Sequence, residues 1–143
     1  MIRLNQVVFF IVLILVVVAF AGCSNQGDGN SLGGDKMTDE TGYIDITPED
    51  AKERLDSGEE IILLDVRTKE EYDTAHIENS VLIPVDELET EAPKSLKDKD
   101  TPIFVYCRSG NRSVTAANIL VELGYKNVYN LGGIIDWPYE VVE

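Results

Sequence analysis

Residues 104–113 read FVYCRSGNRS, Phe104 to Ser113. An apolar run ends in a cysteine, a loop with two arginines and a glycine follows, and a helical pattern then begins. Ile103 to Tyr106 is a short, unbroken apolar run, the form of a strand buried on both faces. After the loop, Ser113 reads as the cap of a helix. Its Ala116, Ile119, Leu120 and Leu123 fall at i, i+3, i+4 and i+7, one apolar stripe closed by Gly124. A strand that passes through a loop into a helix is the repeating unit of a parallel sheet, and ligands bind such sheets at the carboxyl ends of their strands. Cys107 stands at that edge.

The same alternation extends on both sides of this unit. Upstream, Tyr43 to Ile46 is a short strand candidate, and Thr47-Pro48-Glu49-Asp50 opens a helix with a threonine cap, proline at the first position and acids in the first turn. Gly58 closes that helix. Ile61 to Leu64 is a second buried strand, and Thr68 with Glu71 three residues later spells a capping box. Val81 to Ile83 is a third strand, stopped by Pro84. A helix from Asp86 to Thr90 is limited by Pro93. Downstream, Val128 to Leu131 is the last strand, and Gly132-Gly133 leads to an aromatic tail at Trp137. The fold class is α/β, with strands alternating with helices in one domain spanning 43–143.

The loop after Cys107 holds no bulky apolar side chain through Ser113, so it fills no core. Gly110 permits a tightly curled backbone. The following helix presents free N–H groups and the positive end of its dipole, a cradle for an anion. A helix N-terminus and nearby cations also favour a thiolate, the nucleophilic form of cysteine. Arg108 and Arg112 supply the cations in a chain where 26 acids face 12 basic residues.

CRSGNRS, followed by VTAANILVELGYKNVYNLGGIIDW, resembles the active-site loop and C-terminal signature of the rhodanese family of sulfurtransferases. Upstream, LLDVRTKEEYDTAHI, Leu63 to Ile77, resembles that family's other characteristic segment. The resemblance runs from about Tyr43 to the C-terminus. It implies a rhodanese-like, five-stranded parallel sheet with helices on both faces. It implies further that Cys107 takes sulfane sulfur from thiosulfate or another persulfide-type anionic donor and passes it to a thiol or other thiophilic acceptor. Arg108, Ser109, Gly110, Asn111, Arg112 and Ser113 would bind the donor and the persulfide, and no cofactor is implied. Where the family usually carries Gly-His-Ile-Pro-Gly-Ala, this chain reads Ala75-His76-Ile77-Glu78-Asn79-Ser80, and Asn79 is able to adopt the positive φ of the missing glycine.

Competing chemistries remain to be weighed. Four residues separate Cys107 from Arg112, whereas the Cys-dependent phosphatases carry five, and a tighter loop suits one protruding sulfur better than a tetrahedral phosphate. An arsenate reductase would also want a resolving thiol. A rhodanese fold kept for protein interaction, or as a persulfide carrier, is the other alternative. Asp65 and Arg67 lie on the same edge as the loop, as candidate substrate contacts. The expected pairing of Arg67 is with Glu71 or Glu70, fixing the loop. His76 reads as a structural hydrogen-bonding residue, and Trp137 as packed against the sheet.

The first 22 residues carry Arg3 as their only charge, and Val7 to Gly22 is a 16-residue apolar run, short of the roughly 20 that a spanning helix needs. That pattern reads as a signal peptide. The ending Ala19-Phe20-Ala21-Gly22-Cys23 resembles the lipobox of bacterial lipoproteins, which implies lipidation of Cys23. An uncleaved N-terminal helix is the alternative, and either one places the domain outside the cytoplasm, anchored to a membrane. Residues 23–42, rich in Gly, Ser, Asn and Asp, read as a flexible tether. With Cys23 acylated, Cys107 is the one remaining thiol, which excludes an internal disulfide; with His76 as the only histidine, a Cys/His metal site is excluded too. A net charge of −14 argues against nucleic-acid binding, and the expectation is a monomer.

Overall fold

Local signals start and stop the helices. The computed structural model describes residues 42–143. Strand β1, Ile44–Asp45, leads to Thr47, whose hydroxyl accepts from the Asp50 amide at 3.1 Å and caps helix α1, Pro48–Asp56. Gly58, at φ +82°, turns the chain out of that helix toward β2, Ile62–Asp65. Helix α2, Lys69–Thr74, begins with a complete capping box. The Thr68 hydroxyl accepts from the Glu71 amide, and the Glu71 carboxylate accepts from the Thr68 amide. Asn79 sits at φ +63° in the turn before β3, Val81–Leu82, as the sequence allowed.

Helix α3, Leu88–Ser95, follows a 3-10 turn and contains Pro93, which was expected to end the helical segment. The bond that Pro93 cannot donate would go to the Glu89 carbonyl. Glu89 is exposed, so water can take that bond, while Leu88 and Ala92 on the inner face are fully buried. Strand β4, Ile103–Cys107, includes the cysteine as its last residue. Helix α4 spans Asn111–Glu122, and β5, Val128–Gly133, ends in a 3-10 turn at Ile134–Asp136.

The five strands are all parallel, in the order β1-β5-β4-β2-β3. β4 is central, and all of its residues are buried. Its side chains alternate between two cores. Ile103, Val105 and Cys107 face α3 and α4, against Leu88, Ala92, Ala116 and Leu120. Phe104 and Tyr106 face the other way, toward Ala51 of α1, Leu63, Leu131 and Trp137. Complete burial of each large apolar side chain contributes roughly 1.5–3 kcal/mol, so β4 anchors both layers. Cys107 is therefore held by the best-packed strand in the fold.

Candidate active site

Helix α4 begins at Asn111, two residues before the Ser113 cap expected from sequence. The cap position is Gly110, in the left-handed region at φ +97°, with no side-chain cap bond. Ser113 instead lies fully buried in the first turn and donates its hydroxyl to the Gly110 carbonyl at 2.8 Å. A glycine takes the cap because only this φ turns the backbone N–H back over the strand end. The Gly110 amide points at Cys107 Sγ at 3.1 Å. The first bond of the helix runs from Val114 N–H to the Gly110 carbonyl. The amides of Asn111, Arg112 and Ser113 thus have no helical acceptor, which is the usual state of a helix start. Cys107 itself is a free thiol, 1% exposed.

The loop's tightness comes from β5. Between Val105 and Tyr106 the β4–β5 register slips by one residue, pairing Tyr106 with Gly132 and Cys107 with Gly133. The bulge is braced by Asn130, whose Oδ1 accepts from the Gly132 amide at 3.2 Å. Gly133 then lies directly beneath the loop. A Cβ at that position would stand 2.6 Å from the Arg108 carbonyl oxygen and 2.8 Å from Ser109 Cα. The loop cannot settle there over any other residue.

The two arginines differ. Arg108, Ser109 and Asn111 are exposed, and the Arg108 side chain makes no ion pair among the described residues. Arg112 is half-buried and forms a two-pronged pair with Glu71, at 2.7 Å and 2.8 Å. That pairing holds the Glu71 carboxyl down at about 2, and the same bond raises the Arg112 guanidinium. Glu71 Oε2 serves both Arg112 and the capping bond to Thr68, so one carboxylate ties the cysteine loop to the start of α2. Sequence reading saw Glu71 as a helix cap and as a partner for Arg67, not for Arg112. The available signal was an arginine beside Cys107 needing a partner, and a carboxylate on the same sheet edge.

Arg67 corrects a second expectation. It pairs with neither Glu71 nor Glu70 but with Asp65, through Nη2 at 2.6 Å and Nε at 3.0 Å, and donates to the Ala75 carbonyl at 2.7 Å. Asp65 is fully buried and Arg67 is 5% exposed. Burial is the largest influence and works against the charge of Arg67, yet Asp65, Tyr106 and Glu71 together outweigh it and the net direction is upward. A buried ion must be compensated at close range, and Asp65, two residues away, is near enough to accept from both the Arg67 side chain and its amide. The guanidinium also lies over the Tyr106 ring. The Tyr106 hydroxyl accepts from the Ile77 amide at 3.2 Å and lies 3.0 Å from Ser80 Oγ, and burial pushes this phenol up. His76 Nδ1 is 3.0 Å from the Tyr72 carbonyl, and its ring stacks on that of Tyr72. Trp137 packs in the sheet core, 9% exposed. Residues 1–41, with Cys23 and the expected leader, lie outside the described residues.

The Rhodanese-like domain family matches residues 47–138, which take in the whole sheet beyond β1 and the cysteine loop. The chain belongs to the rhodanese family. Within it, YrkF of Bacillus subtilis is 39% identical over 107 residues, 73% of this chain and 57% of YrkF, so the chain spans little more than half of that relative. The Escherichia coli thiosulfate sulfurtransferase PspE is 37% identical over 73 residues, 51% of this chain and 70% of PspE. Among solved structures, an Escherichia coli rhodanese with anions superposes with a TM-score of 0.55 at 34% identity, covering 58% of this chain and 98% of that one. A rhodanese-related protein from Thermoplasma volcanium gives 0.61 at 34% identity, covering 70% and 98%. The rhodanese fold of this chain is the five-stranded parallel sheet with helices on both faces described above.

Proposed function

We propose that this rhodanese transfers sulfane sulfur through a persulfide on Cys107. The observation that carries the reading is the Gly110 amide on Cys107 Sγ at a helix start, where the following amides lack helical acceptors. The Cys107 thiolate attacks the outer sulfur of an anionic donor such as thiosulfate. A new S–S bond forms on Cys107, the S–S bond of thiosulfate breaks, and sulfite leaves with its electron pair. A thiol or other thiophilic acceptor then attacks the outer sulfur, and Cys107 leaves as thiolate. The loop amides and Arg108 stabilise the entering anion and the terminal sulfur, and cost no reorganisation because the fold already aims them. Arg112, held by Glu71, orients the loop and adds its field. The Escherichia coli relative named as a thiosulfate sulfurtransferase and the related structure with anions support this donor class.

Loop size favours sulfur over phosphate. The backbone at Arg108 and Ser109 packs directly on Gly133, and the four residues between Cys107 and Arg112 are one fewer than the phosphatase loop carries. The test is intact mass of the protein before and after thiosulfate. A gain of one sulfur atom, reversed by a thiol and lost in Cys107→Ser, is the expected result. Failure with thiosulfate and other sulfane donors alike would leave an interaction module on a rhodanese fold.

Lipid anchoring through Cys23, outside the cytoplasm, is proposed from the sequence pattern of residues 1–23. Metabolic labelling with an alkyne fatty acid is expected to mark the chain and to fail in Cys23→Ser.

A further inference from the structure

A cleft of about 630 Å³ lies on the sheet face opposite Cys107. It is built between the end of α1, the start of β2, the 77–79 turn and the Trp137–Glu140 segment. Its volume falls within the roughly 300–1,000 Å³ of ligand sites. Leu55, Ile61, Leu63, Ile77 and Trp137 line it with apolar surface. One wall is held in place by the antiparallel bridge between His76 and Val142, with two 2.8 Å bonds.

Charge on the rim has one sign left over. Lys52 pairs with Asp56, and Arg54 pairs with Glu59 at 2.6 Å, so those carboxylates are neutralised. Glu78 and Glu140 are exposed and enter no ion pair among the described residues. Two free carboxylates over an apolar floor attract a cation that carries apolar surface. A peptide supplies both complements together: a cationic side chain and an apolar neighbour.

We propose that this cleft docks a short segment of a partner protein in which an arginine or lysine adjoins a bulky apolar residue. The partner would be held on the face opposite Cys107, and the docking is independent of any chemistry at Cys107.

Trp137 is the only tryptophan in the chain, so its emission reports on the cleft. The full chain in mild detergent would be titrated with an N-acetylated, C-amidated Leu-Arg-Phe-Ala peptide, reading Trp137 emission and the anisotropy of a labelled copy. Saturable binding is expected, weakened about tenfold when the peptide arginine becomes glutamate and about fivefold or more in a Glu78→Gln/Glu140→Gln variant. Cys107→Ser should bind unchanged. No saturable anisotropy change, equal binding of the glutamate peptide, or no effect of the double substitution would overturn the proposal. Arginine amide binding as tightly as the peptide would overturn it in favour of a small cation. A concentration-dependent change in Trp137 emission without peptide would overturn it in favour of a second copy of this chain.

Discussion

The Gly110 amide reaches Cys107 Sγ only because Gly110 holds φ +97°. Gly110→Ala puts a Cβ on a left-handed residue, at a cost of about 1–2 kcal/mol, and the loop is expected to relax away from the thiol. Persulfide formation should then slow by about tenfold or more while the urea midpoint falls only modestly, a split that single-turnover kinetics and unfolding curves would reveal. Glu71 is the other residue on which the loop depends. Glu71→Gln removes the charge from the pair with Arg112 and weakens the capping bond, for about 1–2 kcal/mol of stability. A double-mutant cycle of Glu71→Ala and Arg112→Ala should show a coupling of about 1 kcal/mol. Additive effects would mean that the two side chains act separately.

On the scale of the elements, the β5 bulge sets the loop. Gly133→Ala drives a Cβ to within 2.6 Å of the Arg108 carbonyl, and backbone cannot swing aside as a side chain can. Overpacking of this kind costs about 1–3 kcal/mol, and the Gly110 amide, bonded to Cys107 Sγ, should lose its protection against hydrogen exchange before the helices lose theirs. The end of β2 carries a comparable constraint. Asp65→Ala strands Arg67 in the interior without its partner, which is expected to destabilise by about 3–5 kcal/mol in urea unfolding. A loss below about 1 kcal/mol would show that water reaches the guanidinium.

For the whole molecule, the pH dependence of stability has a defined sign. The folded carboxyl of Glu71 sits at about 2 against an ordinary 4.5. A group lowered by folding stabilises the folded state above its unfolded pKa and loses that contribution as acid protonates it in the native state. The Arg112–Glu71 tie is therefore fully present above about pH 4.5 and disappears progressively toward pH 2. Thermal melts of wild type and Glu71→Gln should converge across that window. Curves that stay parallel would place the acid sensitivity elsewhere among the 26 acids.

Most of the architecture was legible because its signals are local. Thr47 with Pro48, the Thr68–Glu71 box and Asn79 at positive φ each depend on bonds within a few residues. The apolar run before Cys107 and the stripe after it follow the periods of strand and helix, and together they placed the thiol at the carboxyl edge of a parallel sheet. The capping of α4 by Gly110 rather than Ser113 escaped that reading, because a glycine cap leaves no side-chain signature. Partnerships across distance were equally hidden. Arg67 was expected to turn to Glu71 or Glu70, yet burial selected Asp65, and Glu71 went to Arg112, 41 residues away. Sequence by itself determined the order of the elements and the residue that carries the thiol, since both follow from chain-local periodicity. Only the tertiary structure decided which carboxylate meets which arginine and why Gly133 must be glycine, because those depend on which backbones the sheet brings within van der Waals reach.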